Sequence, residues 1–249
     1  MTSIKYFTVS SSNRTSGSHS DFKVTLSHPI ERIKKLFLET IIIPKTWYTI
    51  MSGINDNIPF EVATTDFTAT LVEGLYSASE LATEVQTQMN AAYIPDNLFT
   101  CVVSTLTKKF TIAHPSATSI LEFATRPTAI VASTLGYNNV DTADVLSHEG
   151  DNIYNLSFST RLFILSKNLG SSYFRDPNND LDLIFVFPVS GGFGDFMTYQ
   201  NQGGHWFFNF DKYKNSRVID IQLVFSDGKT VVPLNGQDMT LVFSYETDE

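Results

Sequence analysis

Alternating apolar and polar residues mark the two ends of the chain. Phe22, Val24 and Leu26 alternate with polar neighbours, and three consecutive isoleucines stand at 41–43. An alternating pattern gives a strand one buried and one solvated face, and β-branched residues pack well in strands. Similar segments recur towards the end of the chain, at 153–158, 161–166, 181–189, 218–225, 230–234 and 239–245. The pattern predicts a mainly β protein with an antiparallel sandwich or jelly roll, and the fold class that we expect is an antiparallel jelly-roll β-sandwich.

One segment between these strand-rich ends follows a helical period instead. Leu81, Val85 and Met89 are spaced four residues apart, and Ser77 or Ser79 can cap the helix that they define. We expect this single amphipathic helix to pack its apolar stripe onto a sheet. The polar residues expected to face water are Glu84, Gln86 and Gln88.

These elements predict three regions along the chain. Residues 1–20 include a polar run of serines and are expected to form a flexible N-terminal arm. Residues 21–73 and 138–249 together are expected to form the jelly roll. Residues 74–137 are expected to form a small α+β insertion that carries the helix.

Composition limits the classes of function. The chain has 17 basic and 26 acidic residues, a net charge of −9, so a broad nucleic-acid surface is not expected. Cys101 is the single cysteine, which excludes an intrachain disulfide. The N-terminus lacks the apolar stretch of a signal peptide, and no stretch is apolar over the roughly twenty residues that span a membrane. We therefore expect a soluble protein made in a reducing compartment.

One loop places oxygen-bearing side chains at alternate positions, as a calcium loop does. These weak metal candidates are Asp176, Asn178, Asp180 and Asp182. Leu181 stands where a calcium loop has a glycine, and no glutamate closes the loop. A solvated loop without metal is the preferred interpretation, and no cofactor is predicted.

Catalytic signals are weak throughout the chain. The histidines lack metal-ligand spacing, and His148 falls in a polar segment that is expected to be a connection or strand edge. No nucleophile elbow of the Gly-x-Ser-x-Gly type is present. Asp195, Asp211 and Asp220 are available acids for a glycosidase, but nothing in the sequence brings them together. The chain is therefore predicted not to be an enzyme.

Aromatic residues are concentrated between two strong strand segments. Such a concentration can form a local cluster, a platform that stacks on sugars, or a subunit interface. We list as candidate interface residues Phe193, Phe196, Tyr199, Trp206, Phe207 and Phe208.

The order of these parts resembles the penton proteins, single-jelly-roll minor capsid proteins of virophages and of related large DNA viruses and Polinton-like elements. Three features carry the resemblance: the early strand pair at 21–26 and 33–44 with Trp47 behind it, the Gly74-Leu75-Tyr76-Ser77 entry to the helix, and the closing segments 219–223 and 235–241. Residues 133–137 resemble the end of the inserted module, although Tyr137 stands where the pattern has phenylalanine.

The resemblance implies a structural protein of the virion without catalytic activity. It implies a homopentamer that occupies the fivefold vertices of an icosahedral capsid, beside a double-jelly-roll major capsid protein and other minor capsid proteins. It also implies synthesis in the host cytoplasm. The alternative from the residues themselves is a carbohydrate- or receptor-binding β-sandwich, such as the head of a viral spike.

Overall fold

The computed structural model describes residues 2–94, 98–128, 131–169, 182–202 and 207–248. The chain divides into two compact units. The first unit combines Met1–Trp47 with Ser159–Glu249, and the second is the continuous segment Tyr48–Phe158.

The described residues form strands in both units and two α-helices. The strands are β1 (Thr2–Ser10), β2 (Ser16–Gly17), β3 (Asp21–Pro44), β4 (Asn57–Val62), β5 (Thr65–Thr70), β6 (Thr100–Val103), β7 (Phe110–Ala113), β8 (Ser119–Leu121), β9 (Ser147–Glu149), β10 (Arg161–Leu165), β11 (Leu183–Pro188), β12 (Phe196–Gln200), β13 (Phe207–Phe225) and β14 (Thr240–Asp248). The helices are α1 (Ala78–Ala92) and α2 (Ala132–Leu135), and neither is long and apolar enough to cross a membrane.

The first unit is an antiparallel jelly roll, as the alternating pattern predicted. One sheet has the order β1-β14-β3-β12, in which β14 and β12 pair with the second part of β3. The other sheet has the order β3-β13-β10-β11, and β13 pairs with β3 between Asp21 and Phe37. The long strand β3 therefore belongs to both sheets, with β2 paired at its beginning.

Irregularities along β3 let one strand serve two sheets. The pairing of β3 with β13 and with β14 shifts register at several points, and Arg32 has a positive φ of 57°. Each extra residue reverses which side chains face inward. Phe22 and Ile30 are buried at even positions, whereas Ile33 and Ile41 are buried at odd positions. The shifts thus keep the apolar residues of β3 on the core side through the bend.

Apolar residues from both sheets form the core of this unit. The sheet that contains β1 contributes Val9, Ile41, Ile43, Met197, Leu241 and Phe243, all buried. The sheet that contains β10 contributes Phe22, Val24, Leu162, Ile164, Ile184, Ile219, Ile221 and Leu223. The rings of Phe185 on β11 and Tyr199 on β12 lie 4.6 Å apart and connect the two sheets.

The second unit consists of two three-stranded sheets and the helix α1. The sheets have the orders β5-β4-β8 and β6-β7-β9. An antiparallel bridge between Ser119 and Val145 joins them, because Val145 lies just before β9. Their shared core includes Phe60, Phe99, Phe110 and the apolar stripe of α1.

The predicted amphipathic helix is present as α1. Ser77 is the N-cap, and its side chain and that of Glu80 form a reciprocal capping box. Leu81, Val85 and Met89 are buried in the core of the second unit, as their spacing predicted.

The polar residues Glu84, Gln86 and Gln88 of α1 are partly exposed, and they also form hydrogen bonds. Glu84 accepts a hydrogen bond from the Val72 N–H group (2.8 Å), and Gln86 accepts one from the Cys101 N–H group (3.3 Å). Gln88 bonds back to Glu84 (3.0 Å). Glu84 and Gln86 thus accept hydrogen bonds from backbone N–H groups of neighbouring segments, which helical periodicity does not reveal.

The bounds of the second unit are wider than the predicted insertion at 74–137. The hairpin of β4 and β5 was assigned to the jelly roll, but Phe60 pairs with Leu121 and its ring lies 5.3 Å from that of Phe99. Residues 138–158 also belong to this unit. The predicted jelly-roll segments 21–73 and 138–249 are corrected accordingly, because an alternating pattern does not identify the sheet that a hairpin joins.

The flexible arm predicted for residues 1–20 is also corrected. Residues 2–10 form β1 and pair with β14 along its whole length. Ser11 is fully buried and donates to the Asp238 carboxylate (2.7 Å), which also contacts His19 (2.9 Å) and Arg14 (3.5 Å). Polar side chains that are paired in this way order a segment whose composition resembles that of a flexible one.

Candidate assembly surface

The candidate metal loop lies largely outside the described residues. Asp176, Asn178 and Asp180 are not described, and Asp182 is an exposed residue next to β11. Asp182 lines a cavity of about 370 Å³ together with Asp21, Lys23, Lys167 and Asp220. The charges of these residues are of both signs, so the described part of this loop offers no concentrated site for a cation.

Asp220, one of the acids considered for a glycosidase, lines that cavity and accepts hydrogen bonds from the turn after β10. Its carboxylate accepts hydrogen bonds from the N–H groups of Lys167 (2.9 Å) and Asn168 (2.8 Å) and from the Ser166 hydroxyl (3.1 Å). These bonds fix the turn that follows β10. Asp220 therefore has a structural role here.

A second acidic group is found in the second unit. The carboxylates of Glu61, Asp66 and Glu122 lie within 4.8 Å of one another. Arg126 forms an ion pair with Glu122 and donates to the Phe60 carbonyl oxygen (2.9 Å). The guanidinium compensates the nearest charge and ties the β4–β5 hairpin to the turn after β8, which is a structural arrangement.

The histidines of the second unit are buried, and His148 lies on β9, the edge strand of the sheet β6-β7-β9, which is one of the two placements expected for it. His148 is 4% exposed, and its Nε2 lies 3.0 Å from the Ser119 hydroxyl. Burial lowers the pKa of His148. His114 is 2% exposed, and its Nδ1 accepts the Ala117 N–H group (2.8 Å). Both imidazoles are therefore part of the packed interior of the second unit.

The single cysteine is not arranged as a nucleophile. Cys101 is buried on β6, and burial raises its pKa to about 12. A thiol with that pKa is protonated at neutral pH and therefore unreactive.

The structure describes the side chains of three of the six candidate aromatic residues, and these three differ in exposure. Phe196 on β12 is 64% exposed and Phe193 is 43% exposed, whereas Tyr199 turns inward against Phe185. Trp206 lies outside the described residues. Only the backbone of Phe207 and Phe208 is described, where they begin β13 opposite Phe37 and Leu36 of β3. The grouping of these residues as an interface stays a prediction, with Phe196 as its most exposed described member.

Two exposed apolar residues of a jelly-roll strand were not among the interface candidates of the sequence analysis. Ile4 and Tyr6 on β1 are 58% and 69% exposed, at the edge of the same sheet that ends in β12. Their alternation with Lys5, Phe7 and Val9 was a usable strand signal. The adjoining serine-rich run outweighed it and led to the prediction of an arm.

Comparison with solved structures finds proteins of similar fold. No family model matches the chain, and no curated protein sequence matches it. The crystal structure of the selenomethionine-labelled mavirus penton protein superposes with a TM-score of 0.51, at 11% sequence identity, over 99% of this chain and 100% of that one. The chain has the fold of a penton protein.

The similarity is informative because of the length that it covers, since the sequence identity is low. Because the whole length of both chains is covered, the penton fold applies to the inserted unit as well as to the jelly roll. The resemblance noted from short sequence motifs is thereby confirmed at the level of fold. At 11% identity the likeness concerns the fold and assigns no role to individual residues.

Proposed function

We propose that this protein is a structural capsid protein that assembles as a homopentameric penton at the fivefold vertices of an icosahedral virion. The observation that carries the proposal is the likeness to the mavirus penton over the full length of both chains. The interaction partners in this proposal are further copies of the chain, a double-jelly-roll major capsid protein and other minor capsid proteins.

The described chemistry of the chain supports a structural role. Its acids and imidazoles, such as Asp220, Glu122 and His148, are engaged in bonds that hold turns and sheets together. A vertex protein functions by burying complementary surfaces against neighbouring subunits. The jelly roll has exposed apolar residues that such a surface could bury, namely Ile4, Tyr6 and Phe196.

Light scattering across a concentration series tests the proposal. A pentamer of the 27.8 kDa chain has a mass of about 139 kDa. A stable species of that mass, and its capture into shells when the protein is made together with the major capsid protein, are the expected results. A chain that stays monomeric and does not enter shells contradicts the proposal. Binding to a glycan array would then favour the alternative, a carbohydrate- or receptor-binding module.

A further inference from the structure

The four-stranded sheet of the jelly roll has two edges on which the described residues show no backbone partner. These edges are the outer sides of β1 and β12, in the order β1-β14-β3-β12. A sheet edge presents a row of N–H and C=O groups that only another extended strand can satisfy together. Proteins usually protect such edges with charges, prolines or covering segments.

The outward groups of β1 can be identified from its register. The pairing of β1 with β14 continues into Ser11, whose N–H group donates to the Met239 carbonyl oxygen (3.0 Å). Hydrogen-bonded pairs recur at every second residue of an antiparallel ladder, so the odd-numbered residues of β1 bond to β14. The even-numbered residues Ile4, Tyr6 and Thr8 therefore direct their N–H and C=O groups away from the sheet, and all three are exposed.

The register of β12 on β3 is equally informative. Lys45 donates its N–H group to the Asp195 carbonyl oxygen (2.9 Å) at one end of the pairing, and Asn201 donates to the Glu39 carbonyl oxygen (2.8 Å) at the other. The residues of this segment that bond to β3 are thus odd-numbered.

The free edge of β12 is consequently formed by its even-numbered residues. Phe196, Thr198 and Gln200 direct their N–H and C=O groups outward, and all three are exposed. Phe196 matches Tyr6 of β1 in being an exposed aromatic residue at a sheet edge.

The directions and charges of the two edges are compatible. Three successive antiparallel pairings make β1 and β12 run in opposite directions. A second copy rotated about an axis along the strands would place its β12 antiparallel to β1 of the first. Lys5 is the charged residue of β1, β12 carries none, and Asp195 directly precedes β12, so no like charges oppose each other.

We infer that β1 of one copy pairs with β12 of the next, so that the sheet continues from protomer to protomer. Two different edges of one chain make a head-to-tail contact, and such contacts close into rings when the rotation fits. The inference rests on the proposed homopentamer and names the surface that builds it. The even-numbered residues of the two strands face one another in this contact.

Engineered disulfides test the pairing. Opposed residues in a hydrogen-bonded pair have Cα atoms about 5.5 Å apart, within the range that a disulfide spans. We would combine Thr8→Cys with each of Phe196→Cys, Thr198→Cys and Gln200→Cys, which samples three possible registers. Oxidation should give a ladder of covalent multimers that ends at five chains for one combination. The single variants are the matched controls and should stay monomeric on a denaturing gel, since Cys101 is buried.

Each outcome decides between the inference and the function on which it rests. A 139 kDa species (about five chains) without a ladder in any combination overturns the edge pairing and leaves the penton proposal standing. A ladder that continues beyond five chains supports the edge pairing and overturns the pentamer. Covalent dimers from Thr8→Cys alone indicate a twofold contact between two β1 strands and overturn the inference. A monomer that gives no ladder and does not enter shells made with the major capsid protein overturns both.

Proline variants give a second, independent measurement. Tyr6→Pro and Thr198→Pro each remove an N–H group that points away from the sheet, so the existing pairing with β14 or β3 keeps its bonds. The expected result is loss of the pentamer with a thermal unfolding midpoint within a few degrees of the wild type. Leu106→Lys, at a residue 90% exposed in the second unit, is the control and should leave the pentamer intact. Pentamers that persist in both proline variants contradict the inference.

Discussion

Replacing Phe60 by alanine should destabilise the second unit selectively. Phe60 is fully buried on β4, with its ring 5.3 Å from Phe99 and 5.4 Å from Phe67. It lies opposite Leu121 in the pairing of β4 with β8. The substitution removes a ring that packs against Phe67 of β5 and against Phe99, which directly precedes β6.

The magnitude follows from the cost of an unfilled cavity. Truncation of a fully buried phenylalanine to alanine costs about 3–5 kcal/mol, a large part of the roughly 5–15 kcal/mol that stabilises a typical protein. A loss of about 4 kcal/mol corresponds to a roughly thousandfold larger unfolded population, at about 1.4 kcal/mol for each factor of ten.

Hydrogen exchange resolved by mass spectrometry measures this effect by region. Amides of α1, whose Leu81 and Val85 share the core with Phe60, should exchange up to about a thousand times faster in Phe60→Ala. Amides of β14, in the jelly roll, should change much less. The matched control is Leu106→Ala, because this leucine of the second unit is 90% exposed and its truncation should cost less than about 0.5 kcal/mol.

The reverse pattern of exchange would refute the reasoning. If β4 belonged to the jelly roll, as the sequence pattern indicated, Phe60→Ala would accelerate exchange in β14 and leave α1 protected. An increase below tenfold in α1 would likewise show that Phe60 does not fill the core as described.

Three further predictions concern local interactions. Ser77→Ala removes the capping box with Glu80 and should lower stability by about 1 kcal/mol, measured by urea unfolding. Burial lowers the pKa of His148 from its ordinary 6.5, so the neutral form is favoured in the folded state; stability should fall as pH decreases below about 6.5, and His148→Gln should weaken this dependence. The Ser11 hydroxyl bond is the largest cause that lowers the pKa of Asp238 below its ordinary 3.8. The ionised Asp238 carboxylate therefore stabilises the folded state above pH 3.8, and this stabilisation is lost as the pH falls through the lower pKa of the folded state. Asp238→Asn should accordingly reduce the midpoint of urea unfolding at pH 6 but not at pH 2.

The local elements of this protein follow from nearby residues. The capping residues and the four-residue spacing that define α1 lie within fifteen residues of one another, and they predicted its position and its buried stripe. Several strands of the jelly roll followed from alternation in the same way, as did the beginning of β3 at Phe22 and Val24. In these segments the backbone geometry itself sets the period of the side chains.

The pairing of strands could not be obtained from that information. β1 pairs with β14 at the opposite end of the chain, and neither segment's sequence indicates that the other is its partner. The hairpin of β4 and β5 carries the same alternation as the jelly-roll strands but joins the core around Phe99. Pairing depends on which edges and faces meet in three dimensions, because any two alternating strands can satisfy each other's backbone groups.

The candidate assembly surface shows the same division. The sequence determined that Phe196 and Tyr199 are aromatic and lie in one strand, and that Ile4 and Tyr6 alternate with Lys5. Only the tertiary structure decided that Tyr199 faces the core while Phe196 faces solvent, and that Ile4 and Tyr6 stand at the other edge of the same sheet. The alternation of side chains between the two faces is a local property of a strand. Which strand lies at the edge of a sheet, by contrast, depends on how all the strands of that sheet pair.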